Sequence, residues 1–168
     1  NTGFVLGYNG EIFRTSNGGL NWTTYNSGVS FRLHSIFFVN SLTGYTCGGN
    51  ATQKLLKTTD AGLTWNQTYT TTGSSFNNIF FLNQNTGFIA AKGVLKTTDE
   101  GVTWIQKVNG QQPSFHKIFF PVNNIGYAFA AFGRFFKTTD SGESWGELFV
   151  PTDNSISDLH FLDENIGY

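Results

Sequence analysis

The chain has 168 residues, of which 39% are hydrophobic and only 12% charged, with ten Lys and Arg against eleven Asp and Glu. That length and apolar content suffice for one sizeable core and exclude a disordered chain. The even charge balance provides no basic field for a nucleic-acid backbone, and no apolar run approaches the roughly 20 residues a membrane-spanning helix needs.

The polar positions are filled by Asn, Thr, Ser, Gln and Gly rather than by charges, a composition expected of a secreted or cell-surface protein, periplasmic ones included. The single cysteine, Cys47, has no internal disulfide partner and sits between Thr46 and Gly48. With no activating cation beside it, it is expected to be buried and inert. The chain starts at Asn1 and contains no methionine, so it is expected to be a piece of something longer. Three sequons begin at Asn21, Asn50 and Asn66, in a chain so rich in Asn and Thr that chance accounts for them.

Read in chain order, one pattern returns. Gly-aromatic pairs stand at Gly3-Phe4, Gly44-Tyr45, Gly87-Phe88, Gly126-Tyr127 and Gly167-Tyr168, spaced by 41, 43, 39 and 41 residues. Trp22, Trp65, Trp104 and Trp145 keep the same period. Within one period, residues 76–82, 86–91, 94–98 and 103–108 read as four short strands, rich in β-branched and aromatic side chains and bounded by Gly, Asn or Asp. Four antiparallel strands in about 40 residues is the make-up of a propeller blade, so the expected fold is all-β, with residues 1–168 forming one propeller region of four repeats. The phase implies that the chain opens with the last three strands of a blade, continues through three whole blades, and closes with a first strand at residues 156–162. Most of the 18 phenylalanines are then expected to fill wedges between blades, leaving Tyr8, Phe31, Phe115 and Phe132 as loop aromatics.

Between the third and fourth strands lies an eight-residue segment, Thr58 to Trp65, which returns as Thr97 to Trp104 and Thr138 to Trp145 and, more loosely, as Thr15 to Trp22. Its chemistry is that of a turn, with a carboxylate that accepts backbone N–H bonds and a glycine free to take a positive φ. It resembles the Asp-box, or bacterial neuraminidase repeat. Asp60, Gly62 and Trp65 match that pattern, as do Asp99, Gly101 and Trp104, and Asp140, Gly142 and Trp145. The first copy keeps Gly19 and Trp22 but carries Asn17 at the Asp position and Asn21 at the Thr position. In that family the boxes are structural and lie away from the ligand face, which implies no catalytic role for these aspartates. The longer pattern of a Phe-Phe strand, Asn-x-x-Gly-Tyr and Lys-Thr-Thr-Asp looks most like the photosystem II assembly and stability factor type of repeat. That type also occurs in secreted bacterial proteins.

Enzymatic constellations are sparse. A sialidase-like site, by the same resemblance, implies three arginines clamping a carboxylate, whereas this chain has only Arg14, Arg32 and Arg134. Arg14 occupies the place that Lys57, Lys96 and Lys137 fill in the other repeats. A carboxylate pair of the kind found in xyloglucanase-like Asp-box hydrolases has only Asp153 and Asp158 as loop candidates, and a solvated loop carboxylate is the preferred reading of each. His34 and His116 fall at equivalent repeat positions, where Asn77 and Ser157 stand elsewhere, without a third metal ligand.

The expected function is therefore non-catalytic, with neither cofactor nor metal: a scaffold whose loops bind a protein or a glycan. The loops leading into the first strands, residues 30–35, 72–77, 111–117 and 152–158, vary while the strands do not. They make Arg32, His34, Phe115, His116, Arg134, Asp153 and Asp158 the candidate ligand-facing residues. A hydrolase fragment whose catalytic residues lie elsewhere, a structural spacer and a photosystem assembly factor are the alternatives. These blades are expected to belong to a larger ring of about six to eight, because open sheet edges would otherwise be exposed. A closed ring of four, or association with a second copy, is the other possibility.

Overall fold

The structure is a computed structural model that describes residues 1–108 and 114–149. Four antiparallel sheets follow one another along the chain. The first holds β1 (Gly3–Leu6), β2 (Glu11–Thr15) and β3 (Thr23–Asn26). The second holds β4 (Leu33–Phe38), β5 (Gly44–Gly49), β6 (Thr52–Thr58) and β7 (Asn66–Thr72). The third holds β8 (Asn78–Phe81), β9 (Gly87–Ala91), β10 (Gly93–Thr97) and β11 (Ile105–Val108), and the fourth β12 (Phe115–Val122), β13 (Ile125–Ala130), β14 (Phe135–Thr138) and β15 (Gly146–Leu148). Every strand pairs with its neighbour in sequence, and no helix occurs among the described residues. The fold is thus an all-β propeller arrangement of blades. The first sheet has three strands because β1 begins in second-strand phase, and the expected strand at residues 156–162 lies outside the described residues.

The core is not one mass but a series of wedges between consecutive sheets. In the second wedge, Tyr45, Cys47 and Leu55 of the second sheet pack with Phe76, Ile79, Phe81 and Ile89 of the third. In the third, Phe88, Val94 and Val108 meet Phe115, Ile118, Phe120 and Phe136. The second strand of each complete blade is covered on both faces, so β5, β9 and β13 are buried along nearly their whole length. That explains why they read as unbroken runs of small and aromatic residues instead of alternating with polar ones.

One aromatic arrangement recurs at each wedge. Phe4 stacks on Phe38 with centroids 4.3 Å apart, Tyr45 on Phe81 at 4.1 Å, and Phe88 on Phe120 at 4.6 Å. In each pair the ring on a second strand lies against the ring on the first strand of the next blade. The tryptophan that ends the turn segment of that next blade then meets the first-strand ring edge-on, at 6.1, 6.3 and 5.9 Å for Trp65, Trp104 and Trp145. Such contacts add about 0.5–1.5 kcal/mol per pair beyond the area they bury.

The turn segment is held by one hydrogen-bond pattern. The Thr58 hydroxyl donates to Asp60 Oδ1 at 2.7 Å and accepts the N–H of Gly62 at 3.0 Å. Asp60 Oδ1 accepts the N–H groups of Leu63 and Thr64 at 3.0 and 2.9 Å, and its Oδ2 takes the Thr64 hydroxyl at 2.6 Å. The same bonds from threonine hydroxyl to carboxylate form around Asp99, and around Asp140 with Ser144 in the final place. In the first copy Asn17 keeps the Thr15 hydroxyl at 2.8 Å and the Asn21 N–H at 3.0 Å, so the hairpin survives without the closing hydroxyl bond.

The conformation of the turn exceeds the sequence expectation in one respect. Positive φ is taken not by the glycine alone but also by the residue before it, at 61° for Ala61 and Glu100 and 57° for Ser141. Non-glycine side chains pay a conformational penalty there. Compensation comes from the N–H of each, which donates to a carbonyl of the first hairpin of its own blade: Leu42 at 2.9 Å, Asn85 at 3.1 Å and Asn124 at 3.1 Å.

The repeat cation ties this turn to the preceding blade. Arg14 Nε donates to the Ala61 carbonyl at 2.9 Å, Lys57 pairs with Glu100 at 2.9 Å, and Lys96 reaches both the Ser141 carbonyl at 2.6 Å and Glu143 at 2.7 Å. Lys96 is 5% exposed, so its pair is the best shielded of the set.

Two predictions follow from this geometry. A Cβ added at Gly142 would lie 2.3 Å from Phe88 Cε1 and one at Gly62 would lie 2.5 Å from Phe4 Cε1, whereas at Gly101 the nearest atoms are 3.4 Å away. All three glycines have φ near 80°. Thermal or denaturant unfolding should therefore show Gly101→Ala losing about 1–2 kcal/mol for conformation, and the other two a further 1–3 kcal/mol, roughly, for overpacking. Equal losses at all three would mean that the ring contact is slack. Asp60 and Asp99 are held at about 2, below the ordinary 3.8, chiefly by the threonine hydroxyl and N–H bonds, and Asp140 is lower still. Their contribution to stability is complete above pH 3.8 and is lost as the pH falls toward about 2. Replacing all three by Asn should flatten the acid-unfolding curve across that window, as followed by circular dichroism.

Candidate functional site

The first strand of each blade runs away from the inter-blade connection. The starts of first and third strands and the ends of second and fourth strands therefore share one end, the loop face, and the Thr-x-Asp turns occupy the other. This sorts the charges. Among the described residues the loop face carries Arg32, Lys54, Lys92, Lys117 and Arg134 against Glu11 and Glu147, while Asp60, Asp99, Glu100, Asp140 and Glu143 sit at the turn end with Arg14, Lys57, Lys96 and Lys137. The described part of the loop face thus carries more cations than acids.

Aromatic rings accompany these cations. Tyr8 is 72% exposed, and the Arg32 guanidinium lies 4.6 Å above its ring centre. Lys54 Nζ stands 6.0 Å from the Phe31 ring. Phe132 is 75% exposed and adopts φ 61° followed by Gly133 at 68°, the successive left-handed residues of a tight hairpin that projects its ring into solvent. Phe115 is a correction to the sequence expectation: it begins β12 and is fully buried in the wedge, 5.1 Å from Phe136, so it faces no ligand.

His34 and His116 occupy matching sites, as their repeat positions imply. Each is exposed and lies at the register shift near the start of an innermost strand, between Leu33 and Ser35 and between Phe115 and Lys117. Such bulges turn a side chain out of the ladder toward the strand end. Partial burial and the nearby Arg32 lower the His34 pKa, against a backbone hydrogen bond at Gly49 that raises it. No group of three or more metal-ligating side chains occurs among the described residues.

Between these histidines the inner strands are laced together. Asn77 Nδ2 donates to Ser114 Oγ at 2.9 Å and to the Phe115 carbonyl at 2.6 Å. Asn78 Nδ2 donates to Ser35 Oγ at 3.2 Å, and its Oδ1 accepts the Ile118 N–H at 3.1 Å. In sequence Asn77 stands at the repeat position of His34 and His116, and the structure makes it a clamp between blades. Arg134, read from sequence as ligand-facing, is engaged within its own sheet by a two-pronged pair with Glu147 at 2.5 and 2.6 Å. Asp153 and Asp158 lie outside the described residues.

No family model matches the chain, and no curated protein matches it. Solved structures do. A structure of YCF48 bound to D1 peptide is 25% identical, with a TM-score of 0.64 over 76% of this chain and 43% of that one. YCF48 from Cyanidioschyzon merolae is 14% identical, with a TM-score of 0.70 over 98% of this chain and 61% of that one. An ancestral GH74 enzyme is 18% identical, with a TM-score of 0.73 over 89% of this chain and 22% of that one. The chain thus spans less than two thirds of the length of each of these structures, and the two likenesses below 25% identity concern the fold alone.

Cys47 supplies the prediction here. It is fully buried in the second wedge, and burial pushes its thiol well above the usual cysteine range. A chromogenic disulfide reagent should leave it unlabelled in the folded protein and titrate one thiol only in denaturant. Rapid labelling under native conditions would show that the wedge opens.

Proposed function

We propose that this chain is part of an Asp-box type propeller that acts as a non-catalytic scaffold, secreted or at a cell surface, and holds an extended polypeptide segment across its loop face. The observation that carries the proposal is the character of that face, where exposed Tyr8 and Phe132 stand among a surplus of cations while the turn-end acids Asp60, Asp99 and Asp140 are bound by their own turns. An aromatic flanked by arginine suits a peptide that brings apolar and acidic side chains together. The likeness to YCF48 bound to D1 peptide supports a polypeptide as the occupant. A GH74-type hydrolysis reading has the fold in its favour, without a pair of acids brought together on the described loop face.

Binding to an array of acidic, neutral and basic peptides tests the proposal. Acidic peptides containing an aromatic residue are expected to bind in a saturable and salt-sensitive manner. Arg32→Ala and Tyr8→Ala should each weaken binding by about fivefold without altering the melting temperature. Cleavage of polysaccharides by the protein, or peptide binding indifferent to both substitutions, would overturn the proposal.

A further inference from the structure

The outer strands are unequal. β7 has seven residues, whereas β3 has four and β15 three. The cause is the run from Thr68 to Thr72, all Thr and Tyr, accommodated by a register shift between Leu55 and Leu56 that lets β7 stay paired along the full length of β6. The end of β7 consequently stands opposite the third blade with a groove of about 390 Å³ between them. Tyr69, Thr72 and Ser74 line one side, and Lys92, Trp104 and Gln106 the other.

Trp104 forms a fixed wall. Its Nε1–H donates to the Gly101 carbonyl at 3.0 Å, its ring meets the edge of Phe81 at 6.3 Å, and Tyr69 lies 6.5 Å away at 49°. The polar groups around it are largely unspent. The Tyr69 and Thr72 hydroxyls and the Lys92 ammonium have no hydrogen-bond partner among the described residues. Ser74 Oγ accepts the Lys92 N–H at 3.2 Å and keeps its own proton to donate, and Gln106 uses its amide N–H on the Val108 carbonyl at 3.0 Å and keeps its oxygen.

We infer that this groove is a carbohydrate subsite at the outer edge of the loop face, separate from the Tyr8–Arg32 pair, in which a pyranose ring lies against Trp104 and Lys92 meets a carboxylate substituent. A pyranose has an apolar C–H face for the indole and a rim of hydroxyls that both donate and accept, which is the order in which the groove presents its groups. Its volume lies in the about 300–1,000 Å³ range of small-molecule clefts. Lining the groove with one cation and no carboxylate favours a uronic acid over a neutral sugar. In the following blade the position of Gln106 is filled by Glu147, already bound to Arg134.

Calorimetric titration with hexamers of galacturonic acid, glucose, mannose and N-acetylglucosamine tests the inference. The galacturonate hexamer is expected to bind saturably and more tightly than the neutral ones. Gln106→Ala should weaken it by about tenfold, and Thr72→Trp, which fills the groove from an exposed strand position, should abolish it. Lys92→Ala should bring acidic and neutral hexamers to within about twofold of one another. Melting temperatures check that the variants are folded, and Arg32→Ala on the loop face should leave sugar binding unchanged, which separates this site from the peptide surface. Absence of binding by all four hexamers at millimolar concentration, or full binding by Thr72→Trp, would overturn the inference.

Discussion

The rest of the structure depends on the insertion of one ring. At each described junction between blades, the aromatic residue that follows the glycine of a second strand enters a slot in the next blade, between a first-strand phenylalanine and the glycine of the Thr-x-Asp turn. The turn exists to keep that slot open: its carboxylate fixes the loop, its two left-handed residues bring the backbone close, and its tryptophan closes the far side. A side chain on the turn glycine would meet the incoming ring directly at Gly62 and Gly142, so the same hydrogen-bond pattern serves both local folding and packing between blades. Cations on the third strands then join the turn to its neighbour, and one of them, Lys96, does so almost out of contact with water.

This division of labour accounts for the distribution of chemistry. Among the described residues the acids are concentrated where the turns need acceptors, and Arg32, Lys54 and Lys92 at the opposite end have no carboxylate partner among those residues. The loop face owes its electrostatic character to a structural demand made on the other side of the blades. The side chains proposed for recognition there sit on connections between strands, and Asn77 and Asn78 tie neighbouring blades together by bonding across the inner strands.

Most of the fold was legible in the sequence because each signal was repeated. The Gly-aromatic pairs, the four tryptophans and the Asp-x-Gly turns gave the same phase independently, and a four-stranded unit left little freedom in pairing. Legibility failed where a residue's environment came from another blade. Phe115 follows a loop in sequence and looks accessible, yet Phe136 and the β9–β10 sheet enclose it. Arg14, Lys57 and Lys96 were recognisable as one repeated cation, but their targets lie about 45 residues ahead and no local pattern marks them. The groove beside Trp104 was missed for a related reason. Trp104 was assigned wholly to covering its hairpin, and the second face it exposes depends on the length of β7, which only the paired register reveals.

The contacts between blades also have a direction. At each of the three described junctions a blade offers its second-strand ring and its third-strand cation to the next, so these contacts run in one direction along the chain. A blade copied or deleted as a unit between two Gly-aromatic pairs would present the same ring to the same slot as before. Duplication of the underlying gene segment would thus add blades without requiring any new interface to be invented. The described joints would be the same in an array of any number of blades.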